Sequence, residues 1–127
     1  MHFPLPFKAH VIAGSGRGRK LGVPTLNVNL AQVPSDLEDG IYACFVNVQG
    51  KKMQGALHMG PRPVFQDSRA CEVHLIGELL NDPPQDVEIE IVERLREIRD
   101  FPSAQALQEQ MREDIDQARA ILAKKGR

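Results

Sequence analysis

Gly40-Ile-Tyr-Ala-Cys-Phe-Val-Asn-Val-Gln-Gly-Lys-Lys-Met-Gln-Gly-Ala-Leu-His-Met59 is the stretch that decides the fold class. Its first arm, Ile41–Val48, is apolar on both faces, as a central strand must be. Gln49-Gly50-Lys51 then makes a hairpin turn into a second strand, Met53–Met59. Short strands continue outward on both sides. Ala9–Ala13 is one, closed by Gly14-Ser15-Gly16. Thr25–Leu30 alternates, with Leu26, Val28 and Leu30 on one face and Thr25, Asn27 and Asn29 on the other. Ala70–Ile76 and Val87–Leu95 complete about six strands, the last setting Val87, Ile89 and Ile91 against Glu88 and Glu90. Turns join neighbouring strands, with no helix-length crossover, which favours an antiparallel sheet or closed barrel over a parallel α/β fold.

The period changes at Ser103. Ala104, Leu107, Met111, Ile115, Ala118 and Leu122 recur every three or four residues, predicting one amphipathic helix over about 103–124. Pro102 and the capping Ser103 start it, and Lys124, Lys125 and Gly126 end it where the helix dipole favours cations. The expectation is an all-β chain with one C-terminal α-helix packed on the barrel. No repeat, low-complexity tract or linker interrupts residues 1–127, so one domain is expected, with strands over about 9–95.

A chain of 127 residues can bury roughly two-thirds of its unfolded surface and needs no staple. Hydrophobic residues make up 42% and charged residues 26%, the balance of an ordinary globular protein. Two cysteines, Cys44 and Cys71, are too few for a disulfide scaffold. Apolar runs fall far short of the ~18 residues that span a bilayer, and MHFPLPFK lacks the layout of a secretion signal. A cytoplasmic address and no membrane partner follow as expectations. The net charge of −1 gives no overall basic excess that would point to nucleic acid. It hides a difference between halves, +4 over residues 1–63 and −5 over residues 64–127. Arg17, Arg19 and Lys20 contribute three of the cations in the first half.

Three groups of residues carry possible chemistry. Gly14, Gly16 and Gly18, interleaved with Arg17, Arg19 and Lys20, could bring backbone N–H groups and positive charge to phosphate oxygens. The loop is neither a Walker A motif nor G-x-G-x-x-G, and a plain solvated turn would also explain it. Pro24 fixes the chain ahead of Thr25, and the strand period puts the Thr25 hydroxyl and Asn27 amide on one face. Hydroxyl and amide oxygens are hard donors of the kind Mg²⁺ accepts, although a solvated strand face would look the same. Glu72 and His74 share a face of the fifth strand, where Glu72 could act as a general base or be merely solvated. Zinc is disfavoured because Cys71 and His74 point oppositely. Arg96, Arg99 and Phe101, between the last strand and the helix, could hold a planar polar ligand or form surface salt bridges.

Taken in this order, the groups resemble the riboflavin kinase (flavokinase) family, whose module also forms the C-terminal part of bacterial bifunctional FAD synthetases. Gly16-Arg-Gly-Arg-Lys-Leu-Gly-Val-Pro-Thr-Leu-Asn27 resembles its glycine/arginine loop and P-T-x-N signature. Met59-Gly-Pro-Arg-Pro-Val-Phe65 is similar to its G-x-R-P-T-F segment, with Val64 in place of the threonine. Cys71-Glu-Val-His-Leu75 is similar to its E-x-H-x-L strand. Leu95-Arg96 through Phe101, then Ser103–Ala118 with Asp114, resembles its L-R-x-x-x-x-F stretch and closing helix. Leu80 stands where a tyrosine is common.

The resemblance implies a six-stranded antiparallel Greek-key barrel and transfer of the γ-phosphate of Mg-ATP to the riboflavin 5′-hydroxyl, giving FMN and ADP. It assigns Gly14, Gly16, Gly18 and Lys20 to the ATP phosphates, and Thr25 and Asn27 to Mg²⁺ and the terminal phosphates. Glu72 becomes the general base, and Arg96, Arg99 and Phe101 lie at the flavin end. No adenylyltransferase region precedes Met1, so FMN rather than FAD is the expected product. Riboflavin and ATP are the expected partners, without nucleic acid, and a closed barrel with few edges favours a monomer. The rival readings are a non-catalytic flavin- or nucleotide-binding module on the same barrel and a small barrel that binds single-stranded nucleic acid. Sparse aromatics and the neutral total charge argue against the latter.

Overall fold

β3 (Gly40–Val48) and β4 (Lys51–Pro61) pair in antiparallel register from Val48↔Lys51 to Gly40↔Met59. Gln49 and Gly50 alone make the turn, with φ of 52° and 85°. Positive φ at both central residues is what a type I′ turn requires, because its twist matches that of the flanking strands. The Asn47 side chain braces it by accepting the Gly50 N–H at 2.9 Å. Lys51, read from sequence as part of the turn, is therefore the first residue of β4, which runs past the expected Met59 to Pro61.

The computed structural model describes residues 3–12, 25–61, 69–77 and 84–125. Among these, β1 (Phe7–Ile12), β2 (Thr25–Val28), β5 (Arg69–Ile76) and β6 (Asp86–Arg96) join the hairpin, and α1 (Ala104–Lys125) follows. All strand pairs are antiparallel and the sheet closes in the order β1-β2-β5-β4-β3-β6. β3, β4 and β5 are consecutive neighbours, and β6 returns to lie beside β3. That arrangement is a Greek key. The six-stranded barrel with one C-terminal helix agrees with the sequence reading.

The differences are local. β2 stops at Val28, because the Asn29 side chain accepts the Ala31 N–H at 3.0 Å and turns the chain into a short 3₁₀ segment, Leu30–Gln32. Leu30 therefore leaves the strand expected to contain it. β6 pairs with β3 through two register shifts that leave Val92 and Leu95 without partners opposite. Both pack against the cluster under the helix.

The inner face of the barrel is filled by Leu26, Val28, Tyr42, Cys44, Val46, Leu57, Cys71, Val73, Leu75 and Ile89, among others. On the outer face, Ala43, Phe45, Ala56 and Ile76 meet Ile115, Ala118 and Leu122 of α1. The small side chains of Ala43 and Ala56 let the helix lie close to the sheet. Ser103 caps that helix, accepting the Ala106 N–H through its hydroxyl at 3.1 Å and the Leu107 N–H through its carbonyl at 3.2 Å. Ala104, expected on the apolar stripe, is exposed.

Candidate active site

Barrel register turns residues far apart in sequence into a row across the outer face. Ile12 lies opposite Asn27, Asn27 opposite Glu72, Glu72 opposite His58, His58 opposite Ile41, and Ile41 opposite Arg96. One residue pair further along, Thr25 lies opposite His74 and His74 opposite Ala56. The face opposite to Cys71, Val73 and Leu75, where the alternation puts Glu72 and His74, is thus the face that collects Thr25, Asn27 and Arg96.

Glu72 has no exposed surface. Asn27, its neighbour on β2, is also buried, and its Nδ2 has no hydrogen-bond partner among the described residues. A buried amide end of this kind calls for an acceptor, such as a phosphate oxygen or a metal-bound water. Thr25 Oγ1 stands 3.0 Å from His74 Nδ1. Whichever atom donates, the hydroxyl oxygen keeps a lone pair for a cation. On the other side of Glu72, His58 Nε2 lies 3.2 Å from the Gly60 carbonyl and 3.0 Å from that of Pro61. Carbonyls only accept, so Nε2 carries the proton and fixes the imidazole to the end of β4. Near this end, Arg69 donates to both Asp39 carboxylate oxygens at 2.6 and 3.0 Å. The guanidinium holds the Asp39 carboxyl below its usual range.

An open cleft begins at His58 and His74 and runs beneath the connection from β6 to α1. Arg96, Arg99 and Phe101, expected to hold a planar polar ligand, all line it, together with Met111 and Asp114 of the helix. The Phe101 ring centroid is 5.6 Å from the Arg96 guanidinium carbon and 5.5 Å from that of Arg99. Arg96 forms a bidentate ion pair with Asp114, its Nε at 2.9 Å and an Nη at 2.8 Å from the two carboxylate oxygens. Gly14, Gly16, Gly18 and Lys20 lie outside the described residues, as do Val64 and Leu80.

Two site residues, His58 and Asp114, were given no role by the sequence reading. Asp114 had a usable signal, because it falls three residues after Met111 and four before Ala118, inside the apolar stripe. An acid there demands a cationic partner. His58 had none, since its place beside Glu72 depends on the β4–β5 register. For a metal, the Thr25 hydroxyl and Asn27 amide are neighbouring hard-oxygen donors suited to Mg²⁺. Among the described residues no three His, Cys, Asp or Glu side chains converge as a metal cluster.

Known proteins bear on this arrangement. A bifunctional riboflavin kinase/FMN adenylyltransferase of Buchnera aphidicola is 36% identical over 121 residues, which cover 89% of this chain and 37% of that protein. The chain thus spans little more than a third of the length of that relative. Among solved structures, a Streptococcus pneumoniae protein described as a macrolide-efflux protein matches with a TM-score of 0.76 and 28% identity, over 91% of this chain and 38% of that one. Riboflavin kinase from Trypanosoma brucei shares the fold with a TM-score of 0.60 at 24% identity, covering 97% of this chain and 83% of that one. The family described as Flavokinase, riboflavin kinase, matches residues 1–122. That match takes in every strand of the barrel and all but the last turn of α1, and the chain accordingly belongs to the riboflavin kinase family.

Proposed function

We propose that this chain transfers the γ-phosphate of ATP to the 5′-hydroxyl of riboflavin, releasing FMN and ADP. The observation that carries the reading is the burial of Glu72 in register between Asn27 and His58, where the row meets the pocket. The Glu72 carboxylate accepts the hydroxyl proton as the oxygen forms its bond to the γ-phosphorus. The bond from phosphorus to the β,γ-bridging oxygen breaks, and that oxygen leaves with ADP. Phosphoryl transfer depends mainly on positioning and charge neutralisation, so one carboxylate and a set of donors suffice.

Thr25 and Asn27 would hold Mg²⁺, which when bound supplies charge neutralisation on the phosphates. Asn27 Nδ2 also donates to a phosphate oxygen, which satisfies its buried N–H. Gly14, Gly16, Gly18 and Lys20 contact the phosphates of ATP. Arg96, Arg99 and Phe101 hold the flavin ring by hydrogen bonds and stacking. Residues 1–127 act as one domain, as a monomer in the cytoplasm, with riboflavin and ATP rather than nucleic acid as partners.

The test is incubation of the purified chain with riboflavin and Mg-ATP, with chromatographic separation of FMN. FMN formation that needs both ATP and a divalent cation is the expected result. Saturable riboflavin binding without FMN would instead establish the non-catalytic module.

A further inference from the structure

The pocket wall formed by α1 carries an acid that packing against the barrel does not require. Asp114 is 3% exposed on a helix face otherwise made of Leu107, Ile115, Ala118 and Leu122. Its carboxylate accepts from Arg96 Nε at 2.9 Å, from an Arg96 Nη at 2.8 Å and from Gln110 Nε2 at 3.1 Å. Gln110, one helical turn earlier, accepts an Arg99 Nη at 2.6 Å through Oε1. One helix face therefore grips both arginines, and each guanidinium lies against Phe101.

We propose that Asp114 and Gln110 are positioning residues that aim Arg96 and Arg99 at the ligand and suit the pocket to an uncharged planar heterocycle. This rests on the riboflavin kinase reading and extends it to the helix. Arg96 has five N–H groups. Two go to Asp114 and one, on Nη1, to the Glu97 carbonyl at 3.0 Å. One N–H on each terminal nitrogen is left for acceptors on a ligand. Asp114 cancels the charge of Arg96, so that guanidinium's donors are offered without adding to the positive charge that would draw a polyanion such as ATP into the pocket. Gln110 holds Arg99 without adding charge and links it to the same carboxylate.

The experiment measures riboflavin affinity by fluorescence quenching, the KM for ATP, and thermal stability, on wild type and two variants. The double variant Arg96→Met/Asp114→Leu replaces a buried ion pair by apolar groups, a change that folded proteins commonly tolerate. Gln110→Ala alters a partly exposed side chain and guards against misfolding of the double variant. The double variant is expected to melt close to wild type and to bind riboflavin about ten- to a hundredfold more weakly, the worth of a charged hydrogen bond. Gln110→Ala is expected to lose affinity for riboflavin by a smaller factor, and neither variant should change the KM for ATP. Wild-type riboflavin affinity in both variants would overturn the proposal while leaving the kinase intact. Losses of stability and of ATP and riboflavin affinity in parallel would overturn it in favour of a structural role. A wild-type chain that neither binds nor phosphorylates riboflavin would overturn the kinase reading and the proposal together.

Discussion

A carboxylate with no exposed surface is a costly thing to place on a protein's outer face, and Glu72 is placed there in full register with Asn27 and His58. That cost is offset where the carboxylate meets donors or a proton, from the protein around it or from a ligand. Substitution with glutamine keeps the shape and can accept a hydrogen bond through its carbonyl, but it cannot take up a proton. Glu72→Gln is therefore expected to lower turnover by about 10²–10⁴-fold, the usual contribution of a general base. On the proposed reading riboflavin affinity should hardly change, because Arg96, Arg99 and Phe101 line a pocket that Glu72 does not. Single-turnover FMN formation and a fluorescence titration on the same protein separate the two effects. Turnover within a fewfold of wild type would remove Glu72 from the chemistry.

The elements that position this carboxylate rest on turn and clamp chemistry that can be tested singly. Gly50 sits at φ 85° with nothing within 4 Å of where a Cβ would go. An alanine there meets no steric clash with neighbours and only the left-handed backbone penalty, so Gly50→Ala should cost about 1 kcal/mol. Urea denaturation should show a lower midpoint with an unchanged slope. The Asp39–Arg69 clamp ties the segment before β3 to the start of β5. Because Asp39 is held below its ordinary value of 3.8, its contribution is complete at neutral pH and fades as the pH falls through the folded-state value. Asp39→Asn should therefore be less stable than wild type at neutral pH, by at most about 1 kcal/mol for so exposed a pair, and the gap should close below about pH 4. Urea midpoints at neutral and acid pH give both values. A gap that widened in acid would contradict the assignment. At this scale much was legible in the sequence: apolar runs and turn residues marked the strands, and the Pro102-Ser103 pair marked the helix start. The register shifts in β6 were not, since Val92 and Leu95 are set aside by the helix packed over them, a contact between distant segments. The ends of β2 and β4 shifted for local reasons, an Asn29 side chain and a tighter turn.

Closing the barrel is what turns a set of strands into a site, and that step lies beyond any local pattern. β2 pairs with β5, and β6 with both β1 and β3, so Asn27 meets Glu72 and Ile41 meets Arg96 only when the whole sheet is wrapped. Alternation alone could say that Glu72 and His74 share a face, whereas their meeting with Asn27, His58 and the arginine pocket comes from closure. The same closure shuts Cys44 and Cys71 into the interior. Burial raises both thiols, with the neighbouring Cys71 adding to the effect at Cys44, and with Glu72 adding at Cys71, which is pushed up to about 12. A thiol raised this far holds almost no reactive thiolate at mildly alkaline pH, and neither sulfur is accessible until strands separate. In native buffer a thiol-specific reagent is therefore expected to label both cysteines only through opening of the barrel, and in concentrated guanidinium chloride to label both at once. The denaturant dependence of the native labelling rate tells which opening it is. A slope equal to that of full unfolding means the barrel opens as one unit, the expected result for a sheet with no free edge. A shallow slope would mean that a seam opens first. The β1–β2 seam, which among the described residues is paired at Val11↔Val28 and Ile12↔Asn27, is where that would begin. Asn27 belongs to that seam, so its opening would part Asn27 from Ile12 while the pocket between β4, β6 and α1 stayed whole.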